Sequence, residues 1–166
     1  MTWAILVAAA VATLVALAGG LLTDVGPWYR ALRKPAWQPP DWLFAPAWTL
    51  IFALTATSAV LGWYGAPNDE ARAMLVGLFL LNAALNIAWS WLFFHLRRPD
   101  WALLEVVLLW LSILALILVL WPISYHAAWA LIPYLAWVSF AAFLNWTVVR
   151  LNQPFAGRPY RQTQER

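Results

Sequence analysis

Side chains able to do chemistry are few in this chain, and indole rings dominate them. Its 166 residues include 14 tryptophans and no cysteine. The missing thiols exclude disulfides, thiolate metal sites, iron–sulfur clusters and haem attached through Cys. His95 and His126 fall at opposite ends of apolar segments, too far apart to share a ligand, and each is expected at an interface. Glu105, one turn inside an apolar run, is expected to partner Arg97 or Arg98 and to have no catalytic role. No nucleophile–base pair, paired carboxylate, phosphate-cradling loop or metal-ligand cluster is apparent. What remains is aromatic and amide side chains at helical spacing. Trp48, Phe52 and Thr55 recur at i, i+4, i+7; Asn82, Asn86, Trp89, Ser90 and Phe93 make a second stripe; Tyr134, Trp137, Ala141 and Asn145 make a third. Their chemistry is recognition. A cavity floored by amides and walled by indoles suits a large, flat, mostly apolar ligand with a few polar groups.

The elements that must position these stripes are membrane helices. The chain is 64% hydrophobic and 10% charged, whereas a soluble domain is about 45–50% apolar and about 25% charged. One small core cannot bury so much apolar surface. A span needs about 20 mostly apolar residues, and residues 2–22, 42–67, 71–95, 101–121 and 125–149 each supply such a stretch. The expected fold is therefore all-α: a single integral membrane domain over residues 1–166, five transmembrane helices in one bundle, with 152–166 as a polar cytoplasmic tail. The first span lacks a basic n-region and exceeds a signal-peptide core in length, so it is expected to be retained. Its Ala8, Ala12, Ala16 and Gly20 form a small-residue stripe that invites close approach of another helix. With five spans, the first loop, the third loop and the C-terminus share one side. Of the ten Lys and Arg, Arg72 alone falls on the other. The positive-inside rule then places the C-terminus in the cytoplasm and the N-terminus outside. These basic residues are topology signals, and no nucleic-acid partner is implied.

Most tryptophans fit an interfacial belt: Trp3, Trp63, Trp121 and Trp129 at outer span ends, Trp42, Trp101 and Trp146 at inner ones. Trp48, Trp89, Trp91, Trp110 and Trp137 lie inside spans, where a belt does not explain them. Asn82 and Asn86 fall near the midplane, where an unpaired amide is costly, so they must face the bundle. Amides there serve either as interhelical ties or as a cavity floor; convergence of aromatic and amide faces at one depth favours the cavity. The first loop reads WYRALRKPAWQPP from Trp28 to Pro40. Pro35, Pro39 and Pro40 fix φ and discourage helix before them. Trp28, Tyr29, Leu32 and Trp37 give the loop an apolar face too large for water. It is expected to fold as a lid on the cytoplasmic mouth; the alternative is a rigid connector at the headgroups, snorkelling through Arg30, Arg33 and Lys34.

These motifs together resemble the translocator protein family, also known as tryptophan-rich sensory proteins or peripheral-type benzodiazepine receptors. The resemblance rests on Trp28-Tyr29, Leu32, Lys34-Pro35, Trp37, Pro39-Pro40, Pro46 and Trp48, then on Asn82, Asn86 and Trp89, the run LIPYLAW from Leu131 to Trp137, and Leu144-Asn145. It implies a five-helix bundle whose first loop covers a pocket open to the cytosol. It also implies binding of porphyrins such as protoporphyrin IX and haem, of sterols in some members, and of synthetic isoquinoline and benzodiazepine ligands, with no obligatory cofactor. Carried over by position, the ligand-binding residues are Tyr29, Pro39, Trp48, Phe52, Asn86, Trp89, Trp137 and Ala141, and the lid residues are Trp28, Lys34, Pro35, Trp37 and Pro40. Some bacterial relatives degrade protoporphyrin IX in light, which would make Trp48 and Trp137 catalytic. Receptor or transporter is the function expected first, regulating porphyrin traffic or a stress response. The location implied is a bacterial cell membrane, eukaryotic relatives occupying the mitochondrial outer membrane. Two positions depart from the family pattern. The sterol-recognition motif would need a tyrosine where Leu144 and Arg150 bracket Trp146, and the small-residue stripe of a homodimer interface, Ala73 and Gly77, is interrupted by Leu81.

Overall fold

A computed structural model describes residues 2–155, so most of the polar tail lies outside the described residues. The elements are α1 (Thr2–Leu22), a short α2 (Pro27–Ala31), a 3-10 turn (Asp41–Leu43) leading into α3 (Phe44–Gly65), α4 (Asp69–Ser90) running on into a π-helical turn (Trp91–His95), α5 (Pro99–Leu120), α6 (Tyr125–Ala130) and α7 (Ile132–Asn152). Five segments are long and apolar enough to cross a bilayer: Thr2–Leu22, Asp41–Gly65, Asp69–His95, Pro99–Leu120 and Tyr125–Asn152. They match the five expected from the sequence to within a few residues.

Local chemistry sets the boundaries. Asn68 caps α4 by accepting from the Ala71 N–H at 2.8 Å, with Asp69 and Glu70 in the first turn, where the helix dipole favours acids. Ser124 caps α6 in the same way through Ala127. Proline stands in the first turn of α5 and of α7, where its missing N–H is harmless. The fifth span is consequently not one helix as expected: Pro133 cannot continue α6, and the chain breaks at Leu131 before α7 begins. The third span likewise changes pitch over its last turn, and Arg97, at φ 54°, turns the chain left-handed into α5.

The spans close into a ring. α1 packs on α3 and α4, α5 on α4 and α7, and α3 on α6 and α7. α5 is the most buried span and α1 the least. The tight part of the core joins α3, α5 and α6 around Ile113, Leu116, Leu120 and Leu131. Gly62 permits close approach there, because a Cβ at that position would sit 2.6 Å from Leu120 Cδ2 and that buried side chain would have to shift. Polar ties cross the same seams: Ser58 Oγ donates to Ala127 O, Asn82 Nδ2 to Ser112 Oγ, and Trp110 Nε1 to Ser139 Oγ, each at 2.8 Å. Trp110 is thus a structural clip. Of the small-residue stripe of α1, Ala8 and Ala12 line one cavity and Ala16 and Gly20 another, and a Cβ on Gly20 would meet nothing within 4 Å. Glu105 departs from expectation too: Arg98 pairs with Asp100, and both Glu105 oxygens are buried without a partner among the described residues.

Candidate functional site

A cavity of about 470 Å³ occupies the half of the bundle nearest the first loop. α3 contributes Phe44, Trp48 and Phe52, α4 contributes Asn86, Trp89 and Ser90, the π turn contributes Phe93 and Phe94, and α7 contributes Trp137, Ala141 and Asn145. Helical period explains the α3, α4 and α7 sets, since residues three or four apart share a face. The π turn adds what an α-helix would not: two successive phenylalanines, both buried against the cavity.

The aromatic walls interlock. Trp48 stacks on Phe52 with centroids 5.3 Å apart, and meets Trp137 edge-on at 6.5 Å and Tyr134 at 6.1 Å. Opposite, Trp89 stacks on Phe93 at 5.1 Å. Asn86 Nδ2 donates to the Tyr134 hydroxyl at 3.1 Å, closing the top of the cavity. Asn145, with its amide oriented to satisfy both groups, donates to Pro99 O and accepts from the Leu103 N–H, each at 3.1 Å. Trp89 Nε1 is buried and has no partner among the described residues, which leaves an indole N–H donor in the cavity wall.

The first loop closes the wide end. Thr23, Val25, Tyr29, Gln38 and Asp41 line the cavity there. Gln38 Nε2 donates to Tyr29 Oη and to Asp41 Oδ1, both at 3.3 Å, and Tyr29 Oη donates to Asp41 Oδ1 at 3.4 Å. Burial, reinforced by the charge of Asp41, pushes the Tyr29 phenol up to about 12. Lys34 lies over the Tyr29 ring at 3.5 Å, and burial holds its ammonium below the usual lysine range against the pull of Asp41. Trp28 packs edge-on against Phe93 at 6.1 Å, and Tyr29 against Phe94 at 5.7 Å. Farther along, Trp37 leaves the mouth altogether and stacks on Phe143 at 5.2 Å on the flank of α7. The anchor is Asn152, whose amide accepts from the Arg33 N–H and donates to the Arg33 carbonyl, each at 2.8 Å.

Seven of the eight ligand-binding positions expected from the family resemblance therefore line one cavity: Tyr29, Trp48, Phe52, Asn86, Trp89, Trp137 and Ala141. Pro39 does not. Nor do the lid residues Trp28, Lys34, Pro35, Trp37 and Pro40. Among the stripe residues Thr55, Asn82 and Tyr134 line a separate chamber above, and Trp91 points outward, 43% exposed and stacked on His95. Gln38 and Asp41 were missed; their signal was a polar pair flanking the two prolines of an otherwise aromatic and basic loop. No group of three or more His, Cys, Asp or Glu able to hold a metal occurs among the described residues.

The profile of the TspO/MBR family matches residues 4–151. The chain belongs to the TspO/MBR family. It is 43% identical over 127 residues to the tryptophan-rich protein TspO of Chlorobaculum tepidum, covering 75% of this chain and 79% of that one. It is 40% identical over 149 residues to the translocator protein of Sus scrofa (85% and 88%) and 36% identical over 142 residues to the protein CrtK of Rhodobacter capsulatus (86% and 89%). As a TspO/MBR protein it is a multi-pass membrane protein, and the matched stretch contains every helix that shapes the cavity.

Proposed function

We propose that this chain is a receptor or transporter-like protein that takes a tetrapyrrole, protoporphyrin IX or haem, into the cavity beneath the first loop and so regulates porphyrin traffic or a stress response. One observation carries this: Trp48, Trp89 and Trp137 present indoles to a single 470 Å³ space that also holds the Asn86 amide. That volume lies in the range of small-molecule sites, and indole faces match the π surface of a macrocycle. The Trp89 N–H, without a partner among the described residues, and the Tyr29–Gln38–Asp41 cluster offer polar anchors. The tetrapyrrole is cargo or signal, and no resident cofactor is required. Synthetic isoquinoline or benzodiazepine compounds share the flat, mostly apolar chemistry. A sterol is less well served: Arg150 lies over Trp146 at 4.9 Å on the outer side of α7, away from the cavity. The basic end, with the loop, faces the cytoplasm of a bacterial cell, and the N-terminus lies outside. A titration of protoporphyrin IX followed by indole quenching tests the assignment. Trp48→Leu with Trp137→Leu is expected to weaken binding about tenfold, from about 0.5–1.5 kcal/mol per aromatic contact; normal binding in the double variant would place the ligand elsewhere.

The contact between Trp48 and Trp137 favours a second function, light-dependent oxidative degradation of protoporphyrin IX by dioxygen, with both indoles as redox-active groups. Changing each to Phe keeps a ring in place but makes it much harder to oxidise. Loss of turnover with near-normal binding identifies the enzyme; no light-dependent product from the unmutated protein leaves the receptor.

A further inference from the structure

Above the ligand cavity, between α1, α3 and α4, lies a second chamber of about 210 Å³. Phe52 and Asn86 form the partition between the two, since these side chains line both. Its walls are small and apolar, notably Ala8, Ala12 and Ala59. Trp3 and Trp63, in edge contact at 5.1 Å, stand at its far end. The chamber is open to one side. Val7, Val76 and Leu80 belong to its lining yet are 54%, 43% and 54% exposed on the bundle surface. Apolar cavities of even about 150 Å³ stay dry and take apolar guests. In a bilayer the apolar molecule at such an opening is an acyl chain.

The end of the chamber carries a matching charge. Arg72, the lone basic residue on that side of the sequence, lies with its guanidinium carbon 5.6 Å from the Trp63 ring and its Nε donating to Trp63 O at 3.4 Å. Its ion partner, Asp69, has a side chain 96% exposed. A surface pair of that kind contributes little, so a phosphate can replace Asp69 and gain a bidentate contact. An interfacial indole beneath a guanidinium is the arrangement expected at headgroup depth.

We propose that this is a phospholipid site. One acyl chain of a glycerophospholipid, from the leaflet at the α1 N-terminal end, enters between α1 and α4, and its phosphate is held by Arg72 above Trp63. The inference is independent of the tetrapyrrole assignment. The test uses the full chain in detergent, native mass spectrometry, and two probes, palmitoyl-oleoyl phosphatidylglycerol and dioleoylglycerol. The unmutated protein is expected to retain one phosphatidylglycerol. Ala59→Phe, which fills the chamber, should abolish retention, and undiminished retention would overturn the site. Arg72→Gln should lower phosphatidylglycerol retention about fivefold, the loss of one basic residue near a headgroup, and leave dioleoylglycerol unchanged. Equal retention of phosphatidylglycerol in Arg72→Gln would overturn the phosphate anchor. A second measurement needs no packing mutation. Phosphatidylglycerol brominated on one chain should quench indole emission until one lipid per chain is bound, and less so in Trp3→Phe/Trp63→Phe. Quenching that rises without saturation would show annular lipid only and overturn the proposal.

Discussion

At the scale of single residues, the protein separates three uses of one ring system. Trp48, Trp89 and Trp137 face the cavity, Trp110 ties α5 to α7 through Ser139, and Trp91 faces outward beside His95. Glu105 is the residue most at odds with its surroundings, 8% exposed with neither oxygen partnered among the described residues. A buried polar group without a partner costs about 1–3 kcal/mol. Glu105→Leu is therefore expected to raise thermal stability in detergent by an amount of that order, and a lower melting midpoint would show that the carboxyl has a stabilising contact. Tyr29 makes a prediction about pH. Its phenol is pushed up from 10.0 to about 12 in the fold, so the folded loop holds that proton longer than the unfolded chain does. The stability it contributes is complete below pH 10 and is lost as pH rises through about 12. Lys34, with its ammonium below the usual range, acts in the opposite sense, so the comparison belongs with Tyr29→Phe in the same background. Melting midpoints between pH 9 and 12 should fall more steeply in the unmutated protein than in Tyr29→Phe. Parallel slopes would mean that the phenol does not titrate with loop docking. The three indoles were legible from spacing alone. Their separation from Thr55, Asn82 and Tyr134 was not, because a helical stripe from Asn82 to Phe93 runs roughly 16 Å at 1.5 Å per residue, and spacing does not show where along it one chamber gives way to the next.

At the scale of elements, the first loop decides how the cavity is closed. Its aromatic content and three prolines announced a docked segment, and Trp28 and Tyr29 do pack on Phe93 and Phe94. Trp37 departs because the Pro35–Gln38 turn, closed by the Gln38 N–H on Pro35 O at 3.0 Å, carries it past the mouth to α7. The Asn152 clamp joins positions 119 apart in the chain, and no local pattern reveals such a pair. The break at Leu131 and the π turn are of the same kind: Pro133 was visible, yet proline is also tolerated within membrane helices, so its effect waited on packing. Two variants separate clamp from stiffness. Asn152→Ala removes both contacts to Arg33 and should cost about 1–2 kcal/mol of loop docking, read as faster proteolysis within residues 30–40 while the spans stay intact. Pro39→Gly with Pro40→Gly leaves those contacts and loosens the chain between them. It should weaken protoporphyrin IX binding through lost preorganisation, and unchanged affinity would make the loop a connector only.

At the scale of the whole molecule, five spans in a ring leave interior space that close packing would otherwise fill. α5 anchors the dense side and α1, least buried, borders both cavities. Span number was legible in the sequence because lipid enforces long apolar runs; ring order was not, because it depends on which small residues meet, as Gly62 does Leu120. Orientation is the property of the whole that the charges should set. Arg72 stands alone against Arg30, Arg33, Lys34, Arg97, Arg98, Arg150, Arg158, Arg161 and Arg166, and the positive-inside rule retains such segments in the cytoplasm. A chain without cysteine makes the test clean. Arg166→Cys should react in intact cells only with thiol reagents that cross the membrane. Pro67→Cys, in the exposed turn between α3 and α4, should react with an impermeant one. The two positions lie on opposite sides for any odd number of crossings between them, so equal labelling by the impermeant reagent would contradict the described spans. Reversed labelling would keep the five spans and turn the cavity mouth, with its Tyr29–Asp41 rim, to the outside of the cell. Under the function proposed above, a tetrapyrrole would then be received from the surroundings instead of the cytoplasm.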